Sequence, residues 1–183
     1  DLQVTSSNST ALAALGFTGQ AAATRGGGGT VGTGQVVGND NSTFLNESVS
    51  GGAVTGYDVS GAPVNLQLRW AKSDSASLGA GHTDTWNLFY QVNPNATGTQ
   101  VAWQNVNVNF TFAANGQMSP AISSVTLNNA VVNGVSLGSP VINFGSGGVT
   151  QFADTNGNVQ VNQIQQDGFP AGQLQSVSVS TNG

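Results

Sequence analysis

Between Tyr57 and Val92 apolar and polar residues alternate in two runs. Val64, Leu66, Leu68 and Trp70 fall on one side of a two-residue period, and Asn65, Gln67 and Arg69 fall on the other. Trp86, Leu88, Tyr90 and Val92 repeat the pattern. Successive side chains of an extended strand point to opposite faces, so each run predicts a strand with one buried face. A polar connection of roughly 15 residues predicts antiparallel pairing, and Asp58, Gly61 and Pro63 supply the turn that opens the unit.

The alternation continues on both sides. Phe44 to Val54 and Val101-Ala102-Trp103 read as strands. In Val106 to Phe112 the Val and Phe residues share one face and the Asn and Thr residues the other, and Asn115-Gly116 marks a tight turn after it. Val125 to Leu137 predicts two short strands around Asn128-Asn129, and Pro140 to Gly148 is a glycine-rich break. Val149 to Phe152, Val159 to Val161 and Leu174 to Val179 form a last group, with turns at Asn156-Gly157-Asn158 and Asp167-Gly168. Short strands at roughly ten-residue spacing predict an all-β fold of sandwich or barrel type, with little or no helix. Near the start, Leu2 to Thr5 reads as a short strand, and Thr10 caps a single helical turn that Gly16 ends. Arg25 to Gly38 is crowded with glycine and predicts a flexible connector, because little side chain is left to pack.

Composition narrows the function. A chain of 183 residues buries a real core without staples. Charged residues make up only 6% of it, against roughly 25% in ordinary domains, and Asn, Gln, Ser and Thr take their place. With Arg25, Arg69 and Lys72 as the only bases and a net charge of -5, the chain cannot neutralise several phosphates, which excludes nucleic acid as a partner. No apolar run is long enough to span a membrane as a helix. The absence of cysteine removes disulfides and thiolate metal sites and fits export in an unfolded state. The chain starts at Asp1, which points to a fragment of a longer protein.

Motifs that suggest chemistry lack their context. Gly27 to Gly32 fits G-x-G-x-x-G, but no strand precedes it and no helix follows. Gly134-Val135-Ser136-Leu137-Gly138 fits G-x-S-x-G, yet the only histidine, His82, lies upstream and a loop follows the serine, so a β-turn is the better reading. Asp154 to Asn158 resembles a calcium loop but places Val159 where glycine belongs and Gln165 where a bidentate glutamate belongs. His82 with Asp74 and Asp84 reads as a solvated loop, and Asp58, Asp74 and Asp84 as turn residues in place of a glycosidase pair. These residues give no catalytic site, no metal and no cofactor. Trp70, Trp86 and Tyr90 sit on apolar faces and are expected in the core, while Trp103 stays open between core and surface. The Asn-x-Ser/Thr matches at Asn8, Asn41, Asn46, Asn95 and Asn109 follow from composition.

Several stretches together resemble the bacterial flagellar hook protein family. Tyr57-Asp58-Val59-Ser60-Gly61 is similar to the family's Tyr-Asp-Ser-x-Gly turn, with Val59 in place of Ser, and Thr85-Trp86 is similar to its Trp-led strand. Phe112-Ala113-Ala114-Asn115-Gly116 resembles its Phe-x-x-Asn-Gly turn. Gln166-Asp167-Gly168-Phe169, with Gly172 and Leu174, resembles the segment by which the family's chain returns to an inner β-domain. The long heptad-patterned helices found at both ends of the family are absent from these residues. The resemblance implies a tail of an outer domain over residues 1–24, a glycine-rich linker over 25–43, an outer β-domain over 44–145, and strands returning to an inner β-domain over 146–183. It also implies a structural subunit of the extracellular hook, exported without a cleaved Sec signal. The full-length protein would polymerise with neighbouring hook subunits, and this fragment alone is expected to be monomeric. The torque-transmitting curved tube that such subunits build acts as a universal joint. An extracellular β-module that binds carbohydrate or a surface, in the manner of an adhesin, is the alternative that the same composition allows.

Overall fold

The computed structural model describes residues 33–151 continuously, together with Leu2–Gln3, Thr10, Ala14 and Ala22–Ala23. Leu2–Gln3 (β1) and Ala22–Ala23 (β2) pair antiparallel, and Thr10 and Ala14 are helical. The main sheet has five antiparallel strands in the order β3-β7-β6-β5-β4. They are β3 (Gln35–Val37), β4 (Ser48–Tyr57), β5 (Pro63–Asp74), β6 (Asp84–Gln91) and β7 (Val101–Phe112). The two alternating runs are neighbours, with Leu68 opposite Tyr90 and Trp70 opposite Leu88. Their register puts every apolar member on one face, which is the all-β arrangement that the two-residue period predicts.

That face is closed by a second layer. Ser124–Thr126 (β8) pairs with Val141–Asn143 (β11), and Ala130–Val132 (β9) pairs with Val135–Gly138 (β10). Met118, Val125, Leu127, Ala130 and Val132 from this layer meet Leu66, Leu68, Trp70, Leu88 and Phe110 from the sheet in one core. Phe110 is fully buried at its centre. Its ring meets Trp70 edge-on at 4.8 Å and Phe144 edge-on at 5.7 Å, the geometry in which ring edges and faces attract.

Five sequence expectations are corrected. Asn41–Glu47 forms a short helix (α1) where a strand was expected from Phe44, and β4 begins only at Ser48. The helical turn carries Phe44 onto the opposite face of the sheet, where its ring lies 4.9 Å from Phe89 and 5.5 Å from Trp103. Burial against these rings outweighs the local alternation. Second, Gln35–Val37 pairs with β7 inside the span expected as linker. Gly38 next to it answers a packing need: a Cβ there would lie 2.5 Å from the Ala96 carbonyl oxygen. The glycines at 26–32 lie outside the described residues. Third, Val125 to Leu137 holds three strands, and β9 turns into β10 at Asn133-Gly134. Their φ angles of 51° and 81° are both positive, as a type I′ hairpin requires. Fourth, β11 occupies the expected break at 140–148. The connection between the central strands is also shorter than expected, because β5 runs on to Asp74 and β6 starts at Asp84.

Replacing Phe110 with alanine should cost about 3–5 kcal/mol in urea unfolding, the range for a buried aromatic ring. Val59→Ser should change stability by no more than about 0.5 kcal/mol, since Val59 is 96% exposed. A Phe110→Ala cost below about 1 kcal/mol would show that the second layer does not pack on the sheet.

Candidate functional site

The family-motif residues build turns. Asp58 Oδ1 accepts the Ser60 N–H at 2.8 Å, the Ser60 hydroxyl at 2.7 Å and the Ala62 N–H at 2.8 Å. Gly61, at φ 79°, donates its N–H to the Asp58 carbonyl. The Ser60 hydroxyl first, then the Ala62 N–H, favour the charged carboxylate and hold Asp58 below its ordinary pKa. Tyr57 is the last residue of β4, so this turn joins β4 to β5 and leaves Val59 at its tip. At the other end of the sheet, Phe112 is buried and Gly116, at φ 76°, donates to the Ala113 carbonyl at 2.8 Å. Asn115 Oδ1 accepts the Gln117 N–H at 3.0 Å. The two turns close opposite ends of the meander and do not converge on one site. Asp167, Gly168, Gly172 and Leu174 lie outside the described residues, as do the Gly27 to Gly32 and Asp154 to Asn158 motifs and the strands expected over 159–161 and 174–179.

The densest polar cluster lies near Trp86. Lys72 Nζ sits 2.8 Å from Asp84 Oδ1, which also accepts the Ala76 N–H at 2.9 Å. Gln151 donates Nε2–H to Asp84 Oδ2 at 2.9 Å and accepts the Trp86 indole N–H on Oε1 at 2.9 Å. His82 Nδ1 lies 2.9 Å from Asp74 Oδ1, and Asp74 accepts the Ser75 and Thr83 N–H groups as well. Lys72, then the Ala76 N–H and Gln151, lower the Asp84 pKa far below the carboxylate range, and His82 leads the lowering of Asp74. Carboxylates held this firmly in the charged form are poor general acids at neutral pH. Their geometry fixes the 75–83 loop and clasps Gln151.

Among the described residues no three of His, Cys, Asp and Glu converge to hold a metal. Ser136 stands in β10, and its Oγ accepts the Gly138 N–H at 3.3 Å, a turn contact far from a nucleophile elbow. Trp70 and Tyr90 are buried, Trp86 packs against the core, and Trp103 is buried on the second face with its indole N–H on Asn41 Oδ1 at 2.8 Å. No described tryptophan is left as an open sugar platform.

Two residues matter that the pattern did not single out. Arg69 donates Nε–H to Ser48 Oγ at 2.7 Å and Nη2–H to the carbonyls of Leu45 at 2.9 Å and Ser48 at 2.6 Å, tying the end of α1 to the sheet. Its seat was foreshadowed only by a lone cation on the polar side of β5. Gln151 gave no signal, because its partners lie more than sixty residues upstream.

Asp84 stabilises the fold as an anion. Its folded pKa lies below the ordinary value of about 3.9, so that stabilisation is complete above this pH and is lost as the pH falls towards the folded value. Asp84→Asn should melt below the parent at neutral pH, and the gap should narrow between about pH 4 and pH 2. A gap in melting temperature that stays constant with pH would exclude the ionised role.

Residues 38–169 match the family model of the flagellar basal body protein FlaE D2 domain, more than half of the chain and a span that takes in β4 to β11. No curated protein and no solved structure matches. The chain therefore belongs to the FlaE D2 domain family of flagellar hook proteins, and its role is a structural one in the flagellar hook.

Proposed function

We propose that this β-domain is a surface-facing part of a hook subunit and works in a curved tube that bends while it transmits torque. The observation that carries the reading is the sheet face opposite the core. Ser50, Thr55, Asn65, Gln67 and Asn109 stand exposed there, on the strand positions that alternate with the buried set. Among the described residues the cation on this face is Arg69, which is engaged with backbone carbonyls and a hydroxyl. Hydroxyls and amides exchange a partner for water at small cost, and neutral groups carry no charge penalty when contacts slide.

The closed core makes the domain stiff, so motion between subunits falls to contacts outside it and to the glycine-rich segment that precedes it. In this reading the domain belongs to a homopolymer outside the cell, exported without a cleaved Sec signal, with residues 146–183 leading back to an inner β-domain. No described helix is long and apolar enough to cross a membrane. Exposed tryptophans would favour the adhesin-like alternative that the composition allows, and those described are packed.

In a hook protein carrying this domain, Asn65→Lys, Gln67→Lys and Asn109→Lys together should leave subunit folding intact. Swimming should slow and hooks straighten at low salt, with partial recovery as salt shortens the screening length to about 10 Å at 0.1 M. Unchanged hook curvature and swimming speed across that salt range would remove this face from the mechanism.

A further inference from the structure

A groove of about 250 Å³ opens between the sheet and the second layer, next to Tyr90. Its floor is Tyr90, Val106 and Leu127, and its rim is Gln104, Asn105, Asn107, Thr126, Asn128 and Asn129. None of the described residues that line it is charged. We infer that this groove is a binding site for a neutral sugar residue.

The groove is built by a distortion in β7. Asn87 pairs with Asn109, but two residues along β6 Phe89 pairs with Asn105, so the register shifts and the segment between Asn105 and Asn109 bulges. Asn105 Oδ1 holds the bulge by accepting the Asn107 N–H at 2.8 Å, with Asn107 at φ 59°. Across the groove Asn129 is also left-handed, at φ 51°, and its N–H is fixed by Ser139 Oγ at 3.1 Å. Left-handed backbone at a residue other than glycine is uncommon, and such conformations gather at binding and catalytic sites. Here two of them flank one cavity, and each is locked by its own hydrogen bond. The rim is thus set before any ligand arrives, which cuts the ordering cost of binding.

The chemistry selects the class of ligand. The side chains of Asn107, Thr126, Asn128 and Asn129 are exposed. An amide offers two donors and a carbonyl acceptor, and a hydroxyl offers both roles, which matches sugar hydroxyls that also donate and accept. Gln104 serves as wall, since its Nε2 is engaged with the carbonyls of Gly34 and Asn105. Tyr90 and Leu127 are buried beneath the groove, so the groups that meet a ligand are mainly the amides and the hydroxyl of the rim. Without a lysine, arginine or carboxylate at the site, nothing favours an ionic ligand. The volume lies below the ~300–1,000 Å³ of sites for drug-sized molecules and suits one ring.

The test is a titration of the 183-residue chain followed by amide-resolved NMR. The probes are glucose, galactose and N-acetylglucosamine as free sugars and dextran as a neutral polymer. At least one probe should shift the side-chain amides of Asn107, Asn128 and Asn129 in a saturable way. Asn129→Gly and Asn107→Gly remove an amide while keeping a residue that accepts positive φ, so each should weaken Kd at least fivefold in a protein that stays folded. Saturation by a free sugar assigns the site to single residues, and saturation by dextran alone assigns it to a glycan chain. No saturable shift with any probe overturns the inference, as do shifts that map elsewhere or survive both substitutions. Groove shifts that depend on protein concentration without sugar would also overturn it, because a second copy would then be the occupant.

Discussion

A strand that alternates cannot slip by one residue without turning its whole apolar set towards water, and this constraint organises the domain. Leu66, Leu68 and Trp70 in β5 face the same core as Leu88 and Tyr90 in β6 and Phe110 in β7. A slip of one position in β5 would expose the first three and bury Asn65, Gln67 and Arg69. The turn at Asp58 fixes the register where β5 begins, and the Lys72–Asp84 pair fixes it where β6 begins. Each pair in the main sheet carries one local shift: between Val36 and Val37 in β3, between Ser50 and Ala53 in β4, between Lys72 and Asp74 in β5, and in β7 at the Tyr90 groove.

Once the register is set, the two faces of the sheet meet different fates. The apolar face needs a cover, and four strands of three or four residues supply it. The opposite face is covered at one end, where α1 lays Phe44 on Phe89 and Trp103. Ala102 and Trp103 are adjacent in β7 and both buried, so β7 is enclosed on two sides only at that end. Beyond it the face is open and composed of amides and hydroxyls. The asymmetry separates a closed apolar side, which packs, from an open polar side, which meets solvent.

The sequence made long-period features legible and short ones obscure. β5, β6 and β7 were readable because each repeats the two-residue pattern several times, and Asn115-Gly116 because a turn residue pair followed a clean run. Helix α1 was hidden, since its seven residues place Phe44 and Leu45 where a strand reading also fits and its stability comes from rings elsewhere in the chain. β3 was hidden because three residues among glycines carry too little pattern. Asn133-Gly134 is a strong hairpin signal that the overlapping G-x-S-x-G match, beginning at Gly134, obscures. Turn chemistry at Asp58 could be inferred locally, whereas the clasp on Gln151 and the seat of Arg69 depend on tertiary neighbours that no local window contains.

The low charge content has a structural counterpart in how the few charges are used. Asp58 caps backbone N–H groups of its own turn, Asp74 holds the Ser75 and Thr83 N–H groups, and Asp84 joins Lys72 to Gln151. Arg69 caps carbonyls where α1 ends. Each of these charges satisfies backbone or side-chain partners nearby, at turns and at the end of α1. The lowered pKa values of Asp58, Asp74 and Asp84 keep these fasteners ionised as the surroundings turn mildly acidic. The amides and hydroxyls of the open face respond weakly to salt, since screening acts on charges and barely on amides. The few carboxylates therefore hold the turns closed over a range of pH, and the amides that take the place of charges elsewhere leave the open face indifferent to ionic conditions.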